Sequence, residues 1–197
     1  MIYKEFKGKK LSALGMGTMR LPVIDGKNDV IDEAATAEMF DYAIEKGINY
    51  FDTAWGYHDG QSELVVGKLL KKYPRDSFYV ATKFPGYDAS NMNKVEEIFE
   101  KQLEKTGMEY FDFYLFHNVC ELNIDGYLDE KYGIFDYLMK QKENGRIKHL
   151  GFSTHGSYDT VKRFLNAYGE HMEFCQIQLN YIDYEFQNAK RIELLFA

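Results

Sequence analysis

Phe78-Tyr79-Val80-Ala81-Thr82-Lys83 is a run of aromatic and β-branched residues that stops on a charge. Upstream, Ile48-Asn49-Tyr50-Phe51-Asp52 does the same and stops on an acid. Downstream, Phe113-Tyr114-Leu115-Phe116-His117 stops on an imidazole. Short, near-continuous apolar runs of this kind are strands buried on both faces, the mark of a parallel sheet covered by helices.

The text between these runs has helical spacing. Asp32–Lys46 reads as an amphipathic helix with Ala35, Met39, Tyr42, Ala43 and Ile44 on one side and Gly47 as its stop. Ser62–Lys72 is a second helix, Ser62 its candidate N-cap and Tyr73-Pro74 its end. Helices are expected over Asn93–Thr106, Tyr132–Asn144, Tyr158–Tyr168 and Asn188–Phe196, and strands over Ser12–Gly17, Phe111–His117, Lys148–Ser153 and Phe174–Leu179. Tyr3–Phe6 and Lys9–Leu11 flank Lys7-Gly8 and predict a small hairpin before the first of these strands.

Strand and helix thus alternate six times, which leaves a doubly wound sheet or a barrel. The strand ends fall near Gly17, Asp52, Lys83, His117, Ser153 and Asn180, at intervals of 35, 31, 34, 36 and 27 residues, an even βα beat. No Gly-x-Gly-x-x-Gly follows the first strand, so the dinucleotide-binding doubly wound fold is disfavoured. The expectation is a (β/α)8 TIM-barrel type, incomplete, with about six βα units in one partial domain over residues 1–197.

Bulk properties narrow the partners. With 24 basic and 31 acidic residues the formal charge is −7, without a basic stripe, which argues against nucleic acid or an anionic membrane. Apolar runs are strand-sized, so no bilayer span is expected. Met1-Ile2-Tyr3-Lys4-Glu5 lacks an apolar signal core, and Cys120 and Cys175 lack metal-ligand spacing; a cytoplasmic protein with two thiols is the expectation.

In a parallel barrel the carboxyl ends of the strands share one mouth, where active sites are built. Asp52, Lys83 and His117 stand at three successive strand ends, and Tyr57 follows Asp52 on the loop above its strand. Each has a plain alternative: Asp52 as a turn cap, Lys83 lifting its ammonium to water, His117 as a satisfied core imidazole, Tyr57 as one of 16 tyrosines. Four such coincidences at matching ends of adjacent units favour shared chemistry.

Gly15-Met16-Gly17-Thr18, Asn49-Tyr50-Phe51-Asp52-Thr53-Ala54 with Tyr57, Thr82-Lys83, Tyr114-Leu115-Phe116-His117 and Gly151-Phe152-Ser153 together resemble the aldo/keto reductase superfamily, from about Leu11 onward. Gly151-Phe152-Ser153-Thr154-His155 and Gln178-Leu179-Asn180-Tyr181-Ile182-Asp183 are similar in wording to the bacterial branch that often carries an iron–sulfur domain. No cysteine run able to hold such a cluster occurs, so none is expected in this chain.

The resemblance implies hydride transfer from NADPH, with NADH not excluded, to the carbonyl carbon of a small substrate, and Tyr57 as the general acid. A free phenol is a weak acid, pKa about 10, that a neighbouring ammonium strengthens. Lys83 takes that task by resemblance, with Asp52 anchoring Lys83 and His117 orienting the carbonyl oxygen. The same resemblance makes Ser153 and Gln176 partners of the nicotinamide carboxamide, with Gly17 and Thr18 shaping the backbone beside it. Thr154 stands where the family carries an asparagine in that group. No metal site is implied; a metal hydrolase built on Asp52 and His117 would need further ligands where Lys83 and Ser153 stand.

A full barrel of this kind has eight strands in about 250 residues. The chain is therefore expected to be truncated after the sixth strand, with exposed strand edges open to self-association or a second chain. An impaired barrel fragment acting as a binding or regulatory subunit is the alternative function.

Overall fold

The computed structural model describes residues 1–182, 184, 185, 190 and 192; the helix expected over Asn188–Phe196 lies largely outside them. The fold opens with an antiparallel hairpin, β1 (Tyr3–Phe6) and β2 (Lys9–Ser12). There follow β3 (Met16–Gly17), α1 (Glu33–Glu45), β4 (Tyr50–Asp52), α2 (Ser62–Leu70), β5 (Tyr79–Phe84), α3 (Val95–Thr106) and β6 (Phe111–Val119). Then come α4 (Ile124–Leu128), α5 (Ile134–Glu143), β7 (Ile147–Thr154), α6 (Tyr158–Tyr168) and β8 (Cys175–Ile177).

Strands β3 to β8 form one sheet in strict chain order. A doubly wound sheet reverses its order at a switch point; this one never does. The pairs β3–β4, β4–β5 and β7–β8 are parallel. That is the arrangement of an incomplete TIM-barrel-type fold with an N-terminal hairpin. The chain packs as two compact units, residues 1–82 with 100–112, and residues 83–99 with 113–197.

In the first unit the hairpin is tied down by Asn49. Its Oδ1 accepts from the Ser12 amide at 2.8 Å, and its Nδ2 donates to the Lys10 carbonyl at 2.9 Å. Ser12 therefore ends β2, and the strand expected over Ser12–Gly17 shrinks to Met16–Gly17. Helix α1 is capped by Asp32, whose Oδ1 accepts from the Ala35 amide at 3.0 Å. Its buried face is Thr36, Phe40 and Ala43, whereas Met39 and Tyr42 are exposed. The expected face was turned by about one residue, because Phe40 packs on Phe51 with ring centroids 5.0 Å apart. Gly67 lets α2 lie directly on α3: a Cβ there would sit 2.2 Å from the Thr106 carbonyl oxygen.

The second unit is packed by aromatic rings. Phe116 meets Phe164 at 5.3 Å, Phe152 meets Phe164 at 4.8 Å, and Phe99 meets Tyr114 at 5.2 Å. The short helix α4 was not expected from its polar sequence Asp125-Gly126; it is held by Ile124 and Tyr127, both buried. Helix α6 spans the residues expected and is capped by Ser157. Among the described residues no helix is long and apolar enough to cross a membrane.

Candidate functional site

Strand β4 ends on Asp52, opposite Gly17 in one ladder and Ala81 in the other. The amide and the hydroxyl of Thr18 both donate to the Asp52 carbonyl, at 2.9 Å each. The Ser62 hydroxyl lies 2.8 Å from that of Thr18 and 2.9 Å from that of Thr53. The Ser62 hydroxyl also lies within donating distance of the Thr18 carbonyl, at 3.2 Å. A buried chain of three hydroxyls thus pins the strand end that carries Asp52. Ser62 was expected to cap α2; that position is Gln61, and the serine is spent on this chain instead.

Tyr57 follows on a tight turn whose next two residues, His58 and Asp59, are both left-handed, with φ 53° and 52°. Non-glycine residues adopt that conformation at a cost, so something must hold it. His58 is buried, and its two ring nitrogens face two main-chain groups: Nε2 accepts from the Leu21 amide at 2.9 Å, and Nδ1 donates to the Asn28 carbonyl at 2.8 Å. The first bond requires an unprotonated Nε2, which fixes the tautomer. Asp59 accepts from Asn28 Nδ2 at 3.0 Å. Nearby in this unit, burial and the charges of Asp52 and Asp112 push the Tyr50 phenol well up, so it stays protonated.

The second unit holds Lys83 at the carboxyl end of β5 and His117 near that of β6. Lys83 is 2% exposed. Burial, and after it the proximity of Lys83 and then of His155, lower the His117 imidazole to about 3, so it is neutral at physiological pH. The edge of the Tyr87 ring meets it at 5.1 Å. Tyr127 donates to the His117 carbonyl at 2.7 Å, and the same hydroxyl lies 3.3 Å from the Phe84 carbonyl, one residue past Lys83. Gly86 leaves room for that ring: a Cβ there would come within 2.4 Å of it.

Ser153 ends 9% exposed, with its Oγ accepting from the Asn118 amide at 2.8 Å; its own hydroxyl proton remains to be given. Gln176 stands opposite it in the β7–β8 ladder and is exposed, as a ligand-facing amide would need to be. Thr154 is different. It is 3% exposed, and its hydroxyl donates to the Val119 carbonyl at 2.6 Å and accepts from the Gly156 amide at 2.9 Å. A carboxamide therefore fits Ser153 and Gln176 and does not fit Thr154, whose side chain is consumed in stapling the end of β6 to β7. In the first unit Gly17 is exposed with open space around its Cα, which suits a flat ring lying against the backbone.

The structure thus places Gly17, Thr18, Asp52 and Tyr57 in the first unit and Lys83, His117, Ser153, Thr154 and Gln176 in the second. His58, Tyr127, Asn123, whose Nδ2 donates to the Asn118 carbonyl at 2.8 Å, and Glu63, which takes Gln102 and Lys105 at 2.7 Å each, lie beside them and are not singled out by the sequence. Only Ser62-Glu63 carried a readable signal, as polar residues at a helix start. Among the described residues no group of three His, Cys, Asp or Glu is arranged to hold a metal ion.

Comparison with known proteins points one way. The family model described as "Aldo/keto reductase family" matches residues 13–197. "Probable aldo-keto reductase 1" of Glycine max is 34% identical over 166 residues, covering 80% of this chain and 45% of that protein. The "NADH-specific methylglyoxal reductase" of Escherichia coli (strain K12) is 29% identical over 195 residues, covering 90% of this chain and 58% of that one. The chain thus spans about half the length of these curated relatives. Among solved structures, a thermostable aldo-keto reductase bound to the inhibitor epalrestat superposes with a TM-score of 0.74 at 23% identity, over 100% of this chain and 68% of its own. The Bombyx mori aldo-keto reductase in complex with NADP gives 0.72 at 20% identity, over 98% and 63%.

Proposed function

The chain belongs to the aldo/keto reductase family, and from that premise we propose that it reduces the carbonyl group of a small aldehyde or ketone with a nicotinamide cofactor. NADPH is the proposed donor and NADH the other candidate: a similar solved structure is a complex with NADP, and a curated relative is named as NADH-specific. The observation that carries the reading is the position of Asp52, Lys83 and His117 at the carboxyl ends of consecutive parallel strands, with Tyr57 on the following turn.

The reduced nicotinamide supplies the hydride when bound. Tyr57 gives its phenolic proton to the carbonyl oxygen as negative charge develops there. Lys83 is assigned to make that phenol a better acid, and Asp52 to fix Lys83. The neutral His117 supports the assignment of Tyr57 as proton donor. An imidazole held at about 3 carries no spare proton at neutral pH, and serves as a hydrogen-bond donor to the carbonyl oxygen. Ser153 and Gln176 hold the carboxamide, which fixes the face of the ring turned to the substrate. Thr154 contributes only through the loop it staples.

The decisive measurement is steady-state oxidation of NADPH and of NADH against a panel of aldehydes, with Tyr57→Phe alongside. Turnover that the substitution removes supports the reading. Cofactor binding with no turnover on any carbonyl replaces it with the binding-subunit alternative.

A further inference from the structure

Glu63 is fully buried in the first turn of α2. A carboxylate withdrawn from water is tolerated only where its oxygens are given donors and its charge a partner. Glu63 has both. Its Oε1 accepts from the Thr82 hydroxyl and from Gln102 Nε2, each at 2.7 Å. Its Oε2 takes the Lys105 ammonium at 2.7 Å, a pair in which Lys105 itself is only 10% exposed. Gln102 also donates to the Thr82 oxygen at 3.2 Å, so the three acceptors and donors close on one another.

Two contacts lead from this cluster to the turn at 54–61. The Lys105 ammonium lies 4.7 Å above the ring of Trp55, two residues before Tyr57. Ser62, the neighbour of Glu63, joins Thr53 and Thr18 through the hydroxyl chain described above. The turn that carries Tyr57 is therefore gripped at its start through Thr53 and Trp55, and at its end by the helical turn Ser62-Glu63. Both grips share one buried charge. A buried ion pair contributes little net stability over an apolar replacement, but it heavily penalises any arrangement in which a partner is lost. Its value lies in holding one geometry.

We propose that Glu63 is a positioning residue for Tyr57, acting through the Lys105–Trp55 contact and the first turn of α2. The inference rests on the reading of Tyr57 as the proton donor. Glu63→Gln keeps the shape and the Oε1 acceptor but turns an amide toward the Lys105 ammonium. That frees Lys105 from its partner and Trp55 from the ammonium above it.

The test compares wild type and Glu63→Gln by amide hydrogen exchange over residues 54–61, by iodide quenching of Trp55, the only tryptophan, and by turnover. The expected result is exchange about tenfold faster in that segment alone and a more quenchable Trp55. Carbonyl reduction should lose about tenfold in kcat with cofactor affinity within about twofold. Unchanged exchange and quenching in a folded Glu63→Gln protein overturn the proposal, as does an unchanged kcat. If Glu63→Gln does not fold, Lys105→Gln, which takes the ammonium from above Trp55 and still offers Glu63 an amide donor, carries the same three readouts. Failure of both to fold overturns it too, since the cluster would then serve the whole unit. Should the wild type reduce no carbonyl, the assignment of Tyr57 falls, while exchange and quenching still decide whether Glu63 clamps the turn.

Discussion

The phenolic hydroxyl of Tyr127 donates to the main-chain carbonyl of His117 at 2.7 Å. Its ring is fully buried, and burial raises its pKa well above the ordinary phenol range, so the proton that makes the bond is always present. With the Phe84 carbonyl 3.3 Å away, one side chain from α4 braces the ends of two strands that carry candidate catalytic groups.

Tyr127→Phe removes that hydroxyl and nothing else. It leaves a buried carbonyl short of a donor, at a cost of about 1–2 kcal/mol in a urea titration. Turnover should fall about tenfold through His117 while cofactor affinity holds. A variant with wild-type kcat would show that the brace does not matter to the chemistry.

Tyr57→Phe should lower carbonyl reduction by about 10²–10⁴-fold, the range for loss of a positioned general acid. Nicotinamide fluorescence in a cofactor titration should be unaltered. A loss of cofactor binding of similar size would mean that Tyr57 shapes the binding cleft rather than donating a proton.

His117 gives a pH dependence whose sign follows from its lowered pKa. The unfolded chain binds a proton near 6.5 and the folded chain only near 3, so the unfolded state takes up more protons between those values. Stability from this group is therefore complete above pH 6.5 and declines as pH falls toward 3, by at most about 1.4 kcal/mol per unit. His117→Asn should flatten that limb of a melting-temperature profile. An equally steep acid limb in the variant would assign the effect to other groups.

Gly67→Ala places a methyl 2.2 Å from the Thr106 carbonyl oxygen, a backbone atom that cannot swing aside. A loss of about 1–3 kcal/mol is expected in denaturant unfolding. A variant as stable as wild type would mean that α2 and α3 part easily.

Strands β3 and β8 are the outer strands of the six-stranded sheet among the described residues. Outer strands recruit further strands, and we propose that the 197-residue chain self-associates at micromolar concentration. Sedimentation velocity would show it; a single monomeric species over that range would discard it.

Much of this was legible in the sequence because the signals were local. The runs ending on Asp52, Lys83 and His117 are strands because their residues suit a sheet buried on both faces, and no distant partner was needed to see it. On sequence alone Tyr42 and Met39 compete with Phe40 for the buried face of α1, since all three side chains are large and mostly apolar. Only the packing of Phe40 on Phe51 separates them. The place of Thr154 beside Ser153 suggests a cofactor contact. Its hydroxyl is taken by Val119 and Gly156, the first of them 35 residues away, and no spacing rule announces such a bond. Tyr127 and His58 were invisible for the same reason: each acts on a main-chain group whose distance in sequence carries no pattern.

The imidazole of His58 offers a donor on one edge and an acceptor on the other, and the turn beside Tyr57 uses both. Asparagine and glutamine also carry a donor and an acceptor, but at one tip, so neither can span Leu21 and Asn28 from opposite sides. In nitrogen NMR this ring, one of five, should therefore be frozen in the Nδ1–H form, a spectroscopic marker of an intact turn that can be followed without substrate or cofactor.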